Sequence, residues 1–157
     1  MPSTARAIAA PVAPARGPIP KDMVQWVFTE ICAQGIVYPQ EVMKQAILET
    51  GWFRSDFLMS RNNLFGFRKI SYYRFDRWQD SVSYYKNWQV ARLKPEHTHH
   101  LIFLKTFNYA TPDYIQHLAK ISWAQECPAA DVVPATPHIA PPVPSPTGEI
   151  DPSSLMP

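Results

Sequence analysis

Seventeen prolines are spread so unevenly along the 157 residues that they decide which part of the chain can fold. Five fall in residues 1–20, nine in residues 128–157 and three in the long stretch between. Proline removes the backbone donor that helices and sheets need, so both ends favour extended, solvated conformations. The expected organisation is a disordered tail over residues 1–20, one compact domain over 21–127 and a disordered proline-rich tail over 128–157. Roughly a hundred residues can bury a working, modest core, and all five tryptophans lie in that stretch. The last segment, PAADVVPATPHIAPPVPSPTGEIDPSSLMP, has too little apolar mass to fold. It reads as a linker in preference to a peptide that docks in an aromatic groove.

Helix signals dominate the centre. Met23, Trp26, Val27, Glu30 and Ile31 follow helical spacing from Lys21 to Gln34, with Gly35 as a stop. Pro39 suits a first helical position, and Val42, Met43, Ala46, Ile47 and Thr50 form one arc down to Gly51. A short helix or turn is expected over Ser55 to Arg61. The run FRKISYYRF, from Phe67 to Phe75, reads as a small β-hairpin lobe. Asp76 and Gln79 are spaced as a capping box for a helix to about Leu93, with Val82, Tyr85, Trp88 and Gln89 inward. Residues 98–108 form another helix, and Thr111-Pro112-Asp113 opens a last one to about Glu126. The fold class is mainly α with a small β element, and no internal repeat is visible.

Several chemistries find no support. Cys32 and Cys127 are the only cysteines and form no CxxC pair, so a zinc or dithiol centre is not indicated. They could bridge the first and last helices or remain two partly buried thiols. With five glycines and no Gly-rich loop, nucleotide binding is disfavoured, and no nucleophile elbow or Cys-His context occurs. His97, His99 and His100 lack distant co-ligands, so a solvated loop or helix start is preferred over a metal site. No metal or organic cofactor is implied. Prolines interrupt the N-terminal apolar residues, so no signal peptide or membrane span is expected, and the compartment stays open. The net charge is only +2, yet nine Lys/Arg stand between Arg54 and Lys94 against Asp56, Asp76 and Asp80. Such a surface suits an anionic polymer, a cell wall or a nucleic acid, or is simply a solvated face.

One carboxylate stands out. At about 100° per residue, Glu49 falls about 20° outside the apolar arc of its helix, in the last turn. There the negative end of the helix dipole and partial desolvation both favour the neutral acid, as a general acid near neutral pH requires. Geometry alone also fits an ordinary boundary glutamate.

The surrounding residues carry a resemblance. Ala46-Ile47-Leu48-Glu49-Thr50-Gly51-Trp52, Asn62-Asn63-Leu64-Phe65-Gly66, Trp78-Gln79-Asp80-Ser81-Val82 with Tyr84-Tyr85, and Tyr109-Ala110-Thr111-Pro112-Asp113-Tyr114 span the centre. Together they resemble the glucosaminidase family of bacterial cell-wall hydrolases (glycoside hydrolase family 73), the lysozyme-like domains of autolysins, flagellar-rod muramidases and phage lysins. The resemblance implies a lysozyme-like fold that cuts β-1,4 linkages next to N-acetylglucosamine in peptidoglycan. It places Glu49 as catalytic acid and Tyr109 at the active site. Trp52, Asn63, Phe65 and Tyr72 become candidate substrate-binding residues, since rings stack on sugar faces and amides satisfy hydroxyls and N-acetyl groups. The partner implied is the peptidoglycan glycan strand, approached by a monomer of bacterial or phage origin.

Glycosidases usually add a second carboxylate, and relatives often place a glutamate after the NNLFG turn. Here Phe67 to Phe75 contains no acid. Asp76 and Asp80 are the nearest candidates, although each also suits a helix start. Tyr72 or Tyr73, the substrate's own N-acetyl group, and lytic chemistry with one acid-base residue are the alternatives. Two non-enzymatic readings stand beside the hydrolase. One is a wall-binding module of the same fold without catalysis. The other is a basic, aromatic domain for single-stranded nucleic acid, which leaves the Glu49 motif unexplained.

Overall fold

The structure is a computed structural model that describes residues 17–107 and 111–129, so most of both expected tails lies outside the described residues. Six helices follow in order: α1 (Lys21–Ala33), α2 (Pro39–Thr50), α3 (Asp56–Met59), α4 (Trp78–Arg92), α5 (His100–Thr106) and α6 (Pro112–Ala119). Helix α1 packs on α2 and α4, and α2 also packs on α6. The mainly helical arrangement is compatible with a lysozyme-like domain. Among the described residues no helix is long and apolar enough to cross a membrane.

The start signals act as their chemistry dictates. Pro39 occupies the first turn of α2, Ser55 caps α3 by accepting from Leu58 N, and Thr111 caps α6 by accepting from Tyr114 N. For α4 the cap is one residue later than expected. Arg77 is the N-cap, and the Asp80 carboxylate receives its backbone N–H at 3.1 Å and its guanidinium at 2.9 Å. A carboxylate in the first turn answers both the free amides and the positive end of the helix, which the Gln79 amide does less well. The inner face of α1 also differs, being Val24, Val27, Phe28 and Ile31, while Trp26 is 58% exposed. The inner side of α4 is as expected: Val82, Tyr85, Trp88 and Gln89 are buried.

Two expectations are revised. The segment after Phe67 forms a single antiparallel bridge, Arg68 with Tyr72, and no strand occurs among the described residues. Side chains do the work of a ladder here. Asn63 Nδ2 donates to the Phe67 and Tyr73 carbonyls at 2.9 and 3.1 Å, and its Oδ1 accepts from Phe67 N at 2.9 Å. Asn62 Nδ2 donates to the Phe75 and Asp76 carbonyls. Backbone bonds from Tyr73 N to the Phe67 carbonyl and from Phe75 N to the Arg61 carbonyl, each 2.9 Å, add to these amides, and the lobe needs no partner strand. Helix α6 also ends at Ala119, short of the expected Glu126. The chain beyond it runs without helix, sets Trp123 edge-on to Phe28 at 5.1 Å and brings Cys127 to Cys32. Extended chain covers about twice the distance per residue of a helix, which this return path requires. The two cysteines are bonded, with Cα atoms 5.5 Å apart, which resolves the alternatives left by the sequence.

Candidate functional site

The last turn of α2 fixes where Glu49 sits. Gly51 takes the left-handed conformation (φ 57°) and returns its N–H to the Ile47 carbonyl, as does Trp52 at 2.9 Å. Thr50 is fully buried; its hydroxyl donates to the Ala46 carbonyl at 2.6 Å and accepts from Phe53 N at 2.9 Å. The Thr50 carbonyl accepts from both Arg54 and Ser55. Trp52 and Phe53 continue the left-handed turn, each at φ 59°. Side chains with a Cβ pay about 1–2 kcal/mol per residue for that conformation. The surrounding bonds hold it in place directly after the acid, a placement typical of functional sites. Glu49 and Trp52 are both partly buried.

Across from the acid lies the turn built by Asn63. A Cβ on Gly66 would stand 3.1 Å from Glu49 Oε2, 3.7 Å from its Cδ and 3.9 Å from Tyr72 Cε1. The carboxylate and the Tyr72 ring therefore meet at the glycine, whose φ of +66° also excludes most side chains. This juxtaposition is the centre of the site. The glycine belongs to the NNLFG turn, but sequence alone gives no sign that it abuts the acid.

Gly66→Ala is accordingly expected to cost about 1–2 kcal/mol of stability and to lower kcat about tenfold by shifting the carboxylate a few tenths of an ångström. Gly35 is the control, because it has φ +63° and a Cβ added there would meet nothing closer than the flexible end of Lys86, its Nζ at 3.9 Å. Gly35→Ala should lose similar stability and keep its turnover. Equal turnover in the two variants, measured beside their melting curves, would exclude the contact's role.

The other candidates fall into distinct places. Tyr72 is partly buried and takes Phe57 edge-on at 5.0 Å, and Phe57 is 48% exposed. Asn63 is fully buried with its amide committed to backbone, and Phe65 is 1% exposed against Tyr85 at 4.6 Å. Asp80 spends both carboxylate oxygens on Arg77, whereas Asp76 is exposed. Tyr73 packs on Tyr84 at 5.9 Å, and burial pushes both phenols up, so they keep their protons. Tyr109 lies outside the described residues.

Beneath the acid, one turn earlier on α2, Gln45 is fully buried. Its Oε1 accepts from the Tyr85 hydroxyl at 2.6 Å and His100 Nε2 at 2.7 Å, while Nε2 donates to the Tyr114 hydroxyl at 3.4 Å. One amide thus ties α2 to α4, α5 and α6. The expected helix start is there, with His99 the exposed N-cap of α5 and His100 its first residue, but His97 and His100 are not solvated, being 4% and 2% exposed. The rings of His97 and His100 pack on Phe103, and His97 Nδ1 accepts from Lys94 N, which uses these two as core.

Because Gln45 Oε1 can only accept, the neutral His100 ring carries its proton on Nε2. Its Nδ1 is buried and meets no partner among the described residues. Burial holds the imidazole from 6.5 down to about 3. The unfolded chain therefore binds the extra proton first as pH falls. Stability from this group is complete above pH 6.5 and is lost progressively toward pH 3, on the order of 5 kcal/mol over the full window. Unfolding midpoints from pH 7 to 4 should fall less steeply in His100→Gln than in the unsubstituted protein; equal slopes would contradict this.

A family model described as Glucosaminidase, mannosyl-glycoprotein endo-beta-N-acetylglucosaminidase, matches residues 26–125. No curated protein and no solved structure matches the chain. The matched span runs from α1 to just short of Cys127 and encloses Glu49, Gly66 and Tyr72.

Proposed function

The chain belongs to the glucosaminidase family, and from that premise we propose that it is a peptidoglycan endo-β-N-acetylglucosaminidase with Glu49 as general acid. The family gives the coarser activity, a glycosidase of the peptidoglycan-directed type. The observation that carries the finer reading is the meeting of Glu49 with Gly66 and the Tyr72 ring. A glycine there leaves room for a sugar to approach the carboxylate, and an aromatic ring beside it offers a stacking face.

In this reading the neutral acid at the negative end of α2 gives its proton to the glycosidic oxygen as the C1–O bond breaks. Water then adds hydroxide to C1 and returns a proton to Glu49, so the net reaction is hydrolysis. Trp52 and Tyr72 border the sugar, while Asn63 and Phe65 support the turn from beneath. Tyr109 is proposed to assist at the reacting centre. Asp80 is better suited to capping α4 than to attacking a sugar, because Arg77 occupies both its oxygens. Asp76 remains the carboxylate candidate for the second role, with the substrate's N-acetyl group as the alternative. Where the family description names a glycoprotein glycan, the local excess of Lys/Arg favours the anionic wall polymer.

Mass spectrometry of the fragments released from purified cell walls tests the reading. Fragments ending in reducing N-acetylglucosamine support it. Ends in N-acetylmuramic acid, anhydro-sugars, or intact walls would refute the assignment, and intact walls that retain the protein would indicate a binding module.

A further inference from the structure

We propose, building on the glycosidase reading, that Arg68 and the ring of Tyr72 form a subsite for a carboxylate carried by the glycan, beside the acid that cuts it. Arg68 is only 8% exposed. It enters no ion pair among the described residues; the pairs found there are Lys44 with Glu41 and Arg77 with Asp80. Among the described residues its side chain makes one hydrogen bond, from Nη1 to the Tyr72 hydroxyl at 3.2 Å, and its guanidinium lies 5.3 Å from the centre of that ring. A buried guanidinium without a carboxylate is costly, and it has donors left over for a planar two-oxygen partner.

The surroundings say what that partner is. From Phe57 to Phe75 the sequence holds four cations and no acid, so nothing within this stretch competes for the guanidinium. The Tyr72 ring joins Arg68 to the Glu49–Gly66 contact on one side and to Phe57 on the other. Arg61 then covers Phe57 with its guanidinium 3.8 Å from the ring centre. Two adjoining rings, Tyr72 and Phe57, thus lie between two cations, Arg68 and Arg61, an arrangement that fits a polymer of apolar sugar faces bearing carboxylates. A neutral N-acetylglucosamine chain would use the rings and leave Arg68 unanswered. The subsite thus selects wall glycan, with its lactyl or peptide-stem carboxylates, over neutral glycan.

The test measures binding by a non-cutting Glu49→Gln protein to solubilised wall glycan, native and with its carboxyls converted to amides. Native glycan is expected to bind roughly ten- to a hundredfold more tightly. The difference should disappear when Arg68→Gln is added, and should survive Arg74→Gln, the same charge change on a side chain that instead bonds the Ser60 carbonyl. Peptide-free strands assign the source: retained affinity points to the lactyl group, lost affinity to the stem, and both support the subsite. Equal affinity for native and amidated glycan overturns the proposal without using any Arg68 variant, so a misfolded variant cannot obscure the result. A preference that persists in Arg68→Gln overturns it too. Cleavage by the unsubstituted protein is scored separately. If neither glycan is cut, the glycosidase reading fails while the binding comparison still decides the subsite.

Discussion

Cleavage of wall glycan by a Glu49→Gln protein is expected to fall roughly a hundred- to ten-thousandfold, with little change in stability or in affinity for walls. Glutamine keeps the size of the side chain and its ability to hydrogen-bond, but has no proton to give. Glu49 is partly buried at the end of a helix whose last turn is already capped by Gly51 and Thr50, so the helix end does not depend on its charge for closure. Steady-state reducing-end release, read beside urea unfolding and wall sedimentation, separates chemistry from folding and binding. Loss of folding together with activity would make Glu49 a structural residue. Retained turnover would move the acid elsewhere.

The largest effect on stability is expected from the Cys32–Cys127 bond. It closes a loop with a sequence separation of 95 residues and ties the end of α1 to the chain beyond α6. Chain-entropy arguments assign such a loop about 4–5 kcal/mol, and removal of a native disulfide from a small domain costs about 2–5 kcal/mol. That is a large share of the roughly 5–15 kcal/mol a domain possesses. The double variant Cys32→Ser, Cys127→Ser should therefore unfold at much lower urea, and a reductant should bring the unsubstituted protein to the same midpoint. A midpoint indifferent to reductant would show that the bond contributes nothing. Trp123, packed on Phe28 along the returning segment, gives a fluorescence signal where the effect should be felt first.

What could be read from the sequence was local. Pro39, Gly51 and the Thr111-Pro112 pair marked helix boundaries because their conformational preferences act over one turn. The inner side of α4 followed from its period. What escaped depended on partners far away in sequence. The lobe after Phe67 was read as a hairpin because its residues favour strands, yet the amides of Asn62 and Asn63 and a few turn bonds serve its backbone in place of a ladder. Alternating polarity cannot reveal that substitution. The end of α6 was misjudged because the disulfide and Trp123 need an extended path that the helical pattern of residues 112–126 does not disclose. His97 and His100 read as solvated beside Glu96 and His99, but they become core through Phe103 and Gln45.

The site was legible to a similar depth. Glu49 stood out by position and by the company of Trp52 and the NNLFG turn. Its contact with Gly66 did not, since no local rule brings residue 49 to residue 66. Arg68 was one cation among nine until its burial without an acid distinguished it.

The most direct test of proton donation from Glu49 compares two substrates whose leaving groups differ in their need for a proton. Aryl β-glycosides of N-acetylglucosamine oligomers with a nitrophenolate leaving group need none, whereas a sugar hydroxyl does. The account predicts that Glu49→Gln loses its rate on wall glycan but keeps most of its bond-breaking rate on the activated glycoside. Equal losses on both substrates would mean that Glu49 does not supply the proton.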